Sequence, residues 1–178
     1  MGSGKPRAGT PAITTGNVIR DSSMGLATQL IDAIVRLNDS VWRRNSVRLA
    51  LVEMLRLRNA RTVNCVFCKA ARYDVARRDG LTEDKVAQID DDFAHSGLSD
   101  VEKLVLGFAD VYLRDPGRFD PGLIAALREH FSVEQICHMA VALATFNASS
   151  KCAVSLGGMP EFVPVTEVSL PPPLGAPA

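Results

Sequence analysis

The sequence predicts an all-α fold in a single domain, from three observations. Apolar residues recur at helical spacing in segment after segment. Most of those segments open on a side chain able to cap a helix. No stretch shows the alternating, β-branched pattern of a strand bounded by hairpin turns. At 178 residues, against roughly 150 per domain, the chain makes one domain. Residues 1–22, rich in Gly, Ser, Thr and Pro, read as irregular, residues 23–160 as the helical body, and 161–178, ending PPPLGAPA, as a Pro-rich tail.

The elements follow in order. Ser23 is placed to cap a helix over 24–38, whose Leu26, Leu30, Ile31, Ile34 and Leu37 keep the 3.6 period. Ser46 is placed to cap a second over 47–58. A third begins near Asn64 and ends at Gly80, and Thr82 opens a short one reaching Ile89. Ser99 with Glu102 forms a capping box for 100–113, and Asp120 before Pro121 is an N-cap with proline at N1 for 121–130. Ser132 with Gln135 is a second capping box, opening a long helix that Gly157 and Gly158 end. Trp42, Phe108, Tyr112 and Phe146 are expected in the core or at subunit contacts.

Composition excludes several classes of function. Lys plus Arg and Asp plus Glu each total 20, and a net charge of zero argues against a general nucleic-acid or anionic-membrane binder. Hydrophobic residues at 47% and charged residues at 22% exclude disorder for the bulk of the chain. The uncharged stretch 135–150 falls short of the roughly 20 apolar residues of a membrane span, and the N-terminal residues lack the apolar core of a signal peptide. The expectation is a cytoplasmic protein, whose four cysteines are catalytic, metal-binding or buried rather than a disulfide framework. Charge is nevertheless segregated. Residues 43–78 hold ten basic side chains against two acidic, and residues 79–134 hold thirteen acidic against five basic. Either the two stretches face one another, within a subunit or across a boundary, or a basic rim steers an anionic ligand.

Cys65-Val66-Phe67-Cys68 is the motif that points to a reaction. Residues three apart share a helix face, and with Asn64 or Cys65 as N-cap the free N–H groups of the first turn favour a thiolate. The alternatives are two buried cysteines, or zinc, which needs two further ligands. Cys137, His138 and Cys152 do not supply these at any standard spacing and read as two buried apolar cysteines and a separate histidine. Glu53 is the second unusual residue, a carboxylate on a helix otherwise apolar over most of its circumference. It either finds one of the nearby arginines or has a raised pKa suited to a proton relay. Only twelve residues separate it from Cys65, which suits a helix, a turn and a return pass.

An acidic residue at position 53, the Cys-x-x-Cys pair, and the segments SDVEKLVLGFADVYLRD and FSVEQICHMAVALATFNASSK together resemble the carboxymuconolactone decarboxylase family, in its AhpD-like redox branch. The resemblance covers about residues 24–160. It implies a helical subunit assembled into trimers or hexamers, with no cofactor or metal, whose dithiol cycles with a disulfide while reducing peroxides or a peroxiredoxin-type partner. It also implies that Cys68 reacts with peroxide, that Cys65 resolves it, and that Glu53 is the acid. Cysteines at i and i+3 of a helix start can bond with modest distortion.

One departure stands out. The branch carries histidines at the positions that are Arg72 and Phe67 here. A helix continuing through 72 would aim Arg72 back at both sulfurs, where it would stabilise a thiolate but shuttle no proton; otherwise it is a solvated or subunit-bridging cation. His95 and His130 read as structural or exposed. His138, on a face with Ala142, Thr145 and Ser149, is either a relay substitute or a core histidine. Two other functions compete with the oxidoreductase: a cofactor-free lyase holding a small carboxylated lactone-like substrate with the arginines of 56–72, and a non-catalytic oligomeric binding member of the family.

Overall fold

The computed structural model describes residues 5–15 and 18–170. In chain order these form α1 (Val18–Asp21), a 3-10 turn (Ser23–Leu26), α2 (Thr28–Arg43), α3 (Leu49–Val63) and α4 (Val66–Ala70). There follow β1 (Ala71–Tyr73), α5 (Asp74–Arg78), α6 (Glu83–Ala87), a 3-10 turn (Phe93–His95), α7 (Asp100–Arg114), α8 (Pro121–His130), α9 (Val133–Leu156) and β2 (Thr166–Val168). The class is all-α, as the periodicity predicts.

Helix α3 is the axis of the bundle because its sequence leaves it no solvent face. Every residue from Ala50 to Ala60 is buried, and the helix packs chiefly against α9 and α7. Each fully buried leucine or methionine along it contributes about 1.5–3 kcal/mol of transfer free energy. Around it Trp42 stacks on Tyr73 with ring centroids 4.1 Å apart and lies 5.8 Å from Phe146, while Phe108 meets Phe119 at 5.3 Å. Trp42, Phe108 and Phe146 are buried and Tyr112 packs against the same cluster.

Helix starts follow the capping signals where a local side chain can do the work. Ser99 with Glu102 and Ser132 with Gln135 form complete capping boxes, Asp120 caps α8 with Pro121 in its first turn, and the Thr82 hydroxyl accepts from the Lys85 amide. Three expectations are corrected. Ser22, not Ser23, caps the turn that precedes α2, and α2 itself begins at Thr28. Ser46 does not cap α3; Asp79, at the end of α5, accepts from the Ala50 amide 29 residues earlier at 2.9 Å, so that helix start is capped from outside. The expected helix from Asn64 to Gly80 is broken into α4, the extended segment β1 and α5. There β1 pairs in parallel with β2, Ala71 opposite Thr166 and Tyr73 opposite Val168, so a segment expected to be tail is docked on the body. Leu170 packs on the core, and the Pro-rich end 171–178 lies outside the described residues.

The segregated charges meet within the subunit. Arg58 forms a two-toothed pair with Asp110 (2.5 and 2.8 Å) and reaches Asp91, Arg72 meets Glu83, and Arg48 meets Asp79. Cys137 and Cys152 are exposed on α9, contrary to the expectation of burial. They lie on one stripe of that helix with Val133, Val141, Ala144 and Ala148, all exposed. By length and composition α9, at 24 residues, reaches what a membrane span requires, although the uncharged stretch alone falls short; here it lies along α3 and α2. Of the apolar stripe expected over 24–38, Leu26 in the 3-10 turn and Leu30 and Leu37 on α2 are turned outward, while Ile31 faces the core as expected, joined by Val41 and Trp42.

The start of α7 carries a pH-dependent contribution. Burial acts to raise the Glu102 carboxyl, but hydrogen bonds from Lys85 and Ser99 outweigh it and hold the group below the usual glutamate range. A depressed folded-state pKa gives stability that is present above the unfolded value and lost as pH falls through the folded one. Glu102→Gln should therefore lose less stability than the wild type on acidification below about pH 4, measured by urea unfolding across pH 3–7.

Candidate active site

The cysteine pair is presented by a tight turn between two helices. Asn64 closes α3 in the left-handed region (φ 58°, ψ 41°), its amide bonding back to the carbonyls of Ala60 and Arg61. Asparagine tolerates this conformation better than most side chains. Cys65 is then the N-cap of α4, its sulfur accepting from the Cys68 amide at 3.3 Å. The two cysteines are joined in a disulfide, with Cα atoms 5.2 Å apart. Cys65 is fully buried and Cys68 is partly exposed. Cys65 thus receives the helix-start N–H expected from the sequence, although α4 has only five residues and its dipole is small.

Glu53 does not meet the sulfurs. It is fully buried and forms a two-toothed pair with Arg56, Oε2 to Nε at 2.6 Å and Oε1 to Nη2 at 2.7 Å, and it also accepts from the Tyr73 amide at 3.3 Å. Arg56 in turn donates to the carbonyls of Cys68 (2.6 Å) and Ala71 (2.7 Å). Burial acts to lower the Arg56 pKa, but the Glu53 carboxylate outweighs it and holds the guanidinium above its ordinary value. Of the two readings of Glu53, the ion pair is the one found. Glu53 therefore reaches the cysteine turn only through Arg56, whose guanidinium stays charged and bonds the Cys68 carbonyl.

Arg72 and His138 are also placed elsewhere than their positions in the sequence suggest. Because the helix breaks at Ala71, Arg72 does not turn back to the sulfurs; it is buried, pairs with Glu83 at 3.1 Å and donates to the Lys69 and Ala71 carbonyls. His138 accepts from the Ser46 amide at 3.1 Å through Nδ1, twelve residues and roughly 18 Å along α9 from Ser150, the residue of that helix that touches Cys68. His95 pairs with Asp92 on the surface, and His130 is exposed at the end of α8. Phe67 lines the cleft described next.

Three residues that the sequence reading did not assign to the site reach the pair from the other side. The Ser150 hydroxyl donates to the Cys68 sulfur at 3.4 Å, Asn59 donates to Ser150 Oγ at 3.0 Å, and Asn147 donates to Asn59 Oδ1 at 2.8 Å. The signal available in the sequence was the run of small polar residues Asn147, Ser149 and Ser150 late in the long C-terminal helix, with Asn59 following the apolar run of α3.

Cys68 opens into a cleft of about 370 Å³ whose walls are mostly apolar, among them Met24, Phe67, Ala153, Leu156 and Met159. Its roof is the N-terminal segment. The Arg7 amide donates to the Leu156 carbonyl at 2.7 Å, and its guanidinium takes the Val154 and Ser155 carbonyls at 3.1 and 2.5 Å, which satisfies the open end of α9. Gly158, at φ 80°, lies so close to Pro6 that a Cβ there would sit 2.8 Å from the proline ring. Among the described residues no group of His, Cys, Asp and Glu is arranged to hold a metal ion.

The bundle and its site define an all-helical protein with a cleft-facing Cys-x-x-Cys disulfide. No protein-family model matches the chain, and no curated protein matches it. Among solved structures it is similar to the crystal structure of a protein of unknown function from Agrobacterium tumefaciens, described as a candidate antioxidant defence protein AhpD. The TM-score is 0.64 at 22% sequence identity, over 74% of this chain and 90% of that one. The chain therefore has the AhpD-like helical fold.

The Glu53–Arg56 pair generates a direct test. Arg56→Met leaves a buried carboxylate uncompensated and two carbonyls unpaired, and should cost about 3–5 kcal/mol in urea unfolding. Adding Glu53→Leu should recover part of that loss, because the stranded charge goes with it.

Proposed function

We propose that this protein is a thiol-dependent oxidoreductase that reduces peroxides through the Cys65–Cys68 dithiol. The observation that carries the reading is the asymmetric exposure of the pair: both cysteines border an apolar cleft, but Cys68 is partly exposed to it while Cys65 is fully buried. In the reduced protein the Cys68 thiolate attacks one peroxide oxygen, the O–O bond breaks, and the alcohol leaves with a proton, giving a sulfenic acid. Cys65 attacks that sulfur, the S–O bond breaks, and the oxygen departs as water, leaving the disulfide. Two thiols and one peroxide thus become a disulfide, an alcohol and water. An external thiol reductant, a redox protein or a small dithiol, returns the pair to the reduced state, which a reducing compartment such as the cytoplasm supports.

The arrangement gives the lyase alternative little support. Arg56, Arg58, Arg61 and Arg72 are each engaged with the chain's own groups, and none of them lines the cleft. The proposal includes homo-oligomerisation, as a trimer or hexamer, through the uncharged α9 stripe and the outward leucines of α2. Leu30 is 69% exposed and Val141 52%, so two helix faces present apolar surface to solvent.

Titration of the reduced protein with one equivalent of peroxide should remove two thiols, and Cys68→Ser should abolish consumption. A folded protein that kept both thiols would overturn the reading. Light scattering should give a multiple of the 19.2 kDa subunit mass at micromolar concentration; a monomer would sink the oligomer.

A further inference from the structure

We infer that Ser150 is a catalytic residue, the hydrogen-bond donor that stabilises the Cys68 thiolate, and that Asn59 and Asn147 position it. The inference takes its place in turnover from the oxidoreductase reading, but its physical basis is a chain of donors running one way. Asn147 Nδ2 gives a hydrogen bond to Asn59 Oδ1, Asn59 Nδ2 gives one to Ser150 Oγ, and the Ser150 hydroxyl proton is left to point at the Cys68 sulfur. A serine oxygen that already accepts from an amide has its own proton free to donate, and successive bonds of one sense polarise each other. Burial completes the case: Asn59 is fully enclosed and Ser150 nearly so, and polar groups are held in such a site only when they are paired. Against a neutral disulfide sulfur the contact is weak. Against a thiolate it becomes a charge-assisted hydrogen bond, so it favours the ionised form of Cys68. Each sulfur of the pair has its own donor, since Cys65 takes the Cys68 amide. No histidine is required to hold charge on either sulfur.

The test follows iodoacetamide alkylation of Cys68 in the reduced full-length chain across pH 5–10, read at the Cys68 peptide by mass spectrometry. Ser150→Ala should raise the apparent pKa of Cys68 by about one unit. Below both pKa values the thiolate fraction then falls about tenfold while the intrinsic nucleophilicity rises about threefold, so alkylation there slows by about threefold. Above both pKa values the same variant should react about threefold faster than the wild type, so the two profiles cross. Ser150→Thr, which keeps a hydroxyl, should restore the wild-type profile, and Asn147→Ala should shift the midpoint in the same direction by less. Ser150→Ala and Asn147→Ala profiles that superimpose on the wild type would overturn the inference. So would faster alkylation at every pH without a shifted midpoint, the mark of loosened packing alone. If Ser150→Ala does not fold, Asn147→Ala decides, because Asn147 sits at the far end of the chain of donors. Peroxide turnover is scored separately: a crossing profile without turnover sinks the oxidoreductase reading and leaves the thiolate donor in place.

Discussion

The buried pair between Glu53 and Arg56 is the interaction on which the rest of the site depends. A charged pair three residues apart on the innermost helix would be costly if its only partners were each other. Here the remaining donors of Arg56 are used on the Cys68 and Ala71 carbonyls, and a free lone pair of Glu53 takes the Tyr73 amide. Those backbone groups are the ones released where the chain stops being helical after Ala70. The ion pair thus makes an interrupted helix stable inside the protein, and the interruption sends β1 out to meet β2. It also brings Tyr73 under Trp42 and sets the height of the turn that carries the cysteines.

Much of this was legible in the sequence where the cause is local. Capping boxes at Ser99 and Ser132, the Asp120-Pro121 start and the glycines after α9 depend on neighbours within a few residues, and they mark α7, α8 and α9 closely. The cysteine spacing likewise anticipates a pair on one helix start. What could not be read is whatever depends on a distant partner. Asp79 capping α3, Arg56 capturing the turn, and Glu83 drawing off Arg72 are contacts across 11 to 29 residues. A helical wheel assumes that the helix continues, and the assumption fails at Ala71, so Arg72 was aimed at sulfurs that it does not face. Asn59 was missed for a related reason: it falls just past the last clearly apolar turn of α3, where a polar residue reads as the end of a helix rather than as a group buried with a partner.

The same contrast explains how the site differs from the pattern it resembles. Where that pattern supplies histidines, this chain supplies amide and hydroxyl donors fixed by packing of α3 against α9. Donors of this kind hold a charge in place without carrying a proton, so on the proposed oxidoreductase reading the protons that the departing alcohol and water take up are relayed by solvent in the cleft rather than by a titrating side chain. On that proposed reading access and electrostatics are divided between two layers of the fold: α3 and α9 behind the pair carry the donors to the Cys68 sulfur, and the N-terminal segment in front borders the cleft.

That segment joins parts of the chain made at very different times. Arg7 is bonded to carbonyls of Val154 and Ser155, some 147 residues later, and Pro6 rests on Gly158. Residues near the start emerge early from a ribosome adding roughly 5–20 residues per second, yet have no surface to dock on until the end of α9 has been translated. The cysteines therefore pass through synthesis beneath an unfinished roof, and the cleft cannot close over them until the end of α9 has emerged.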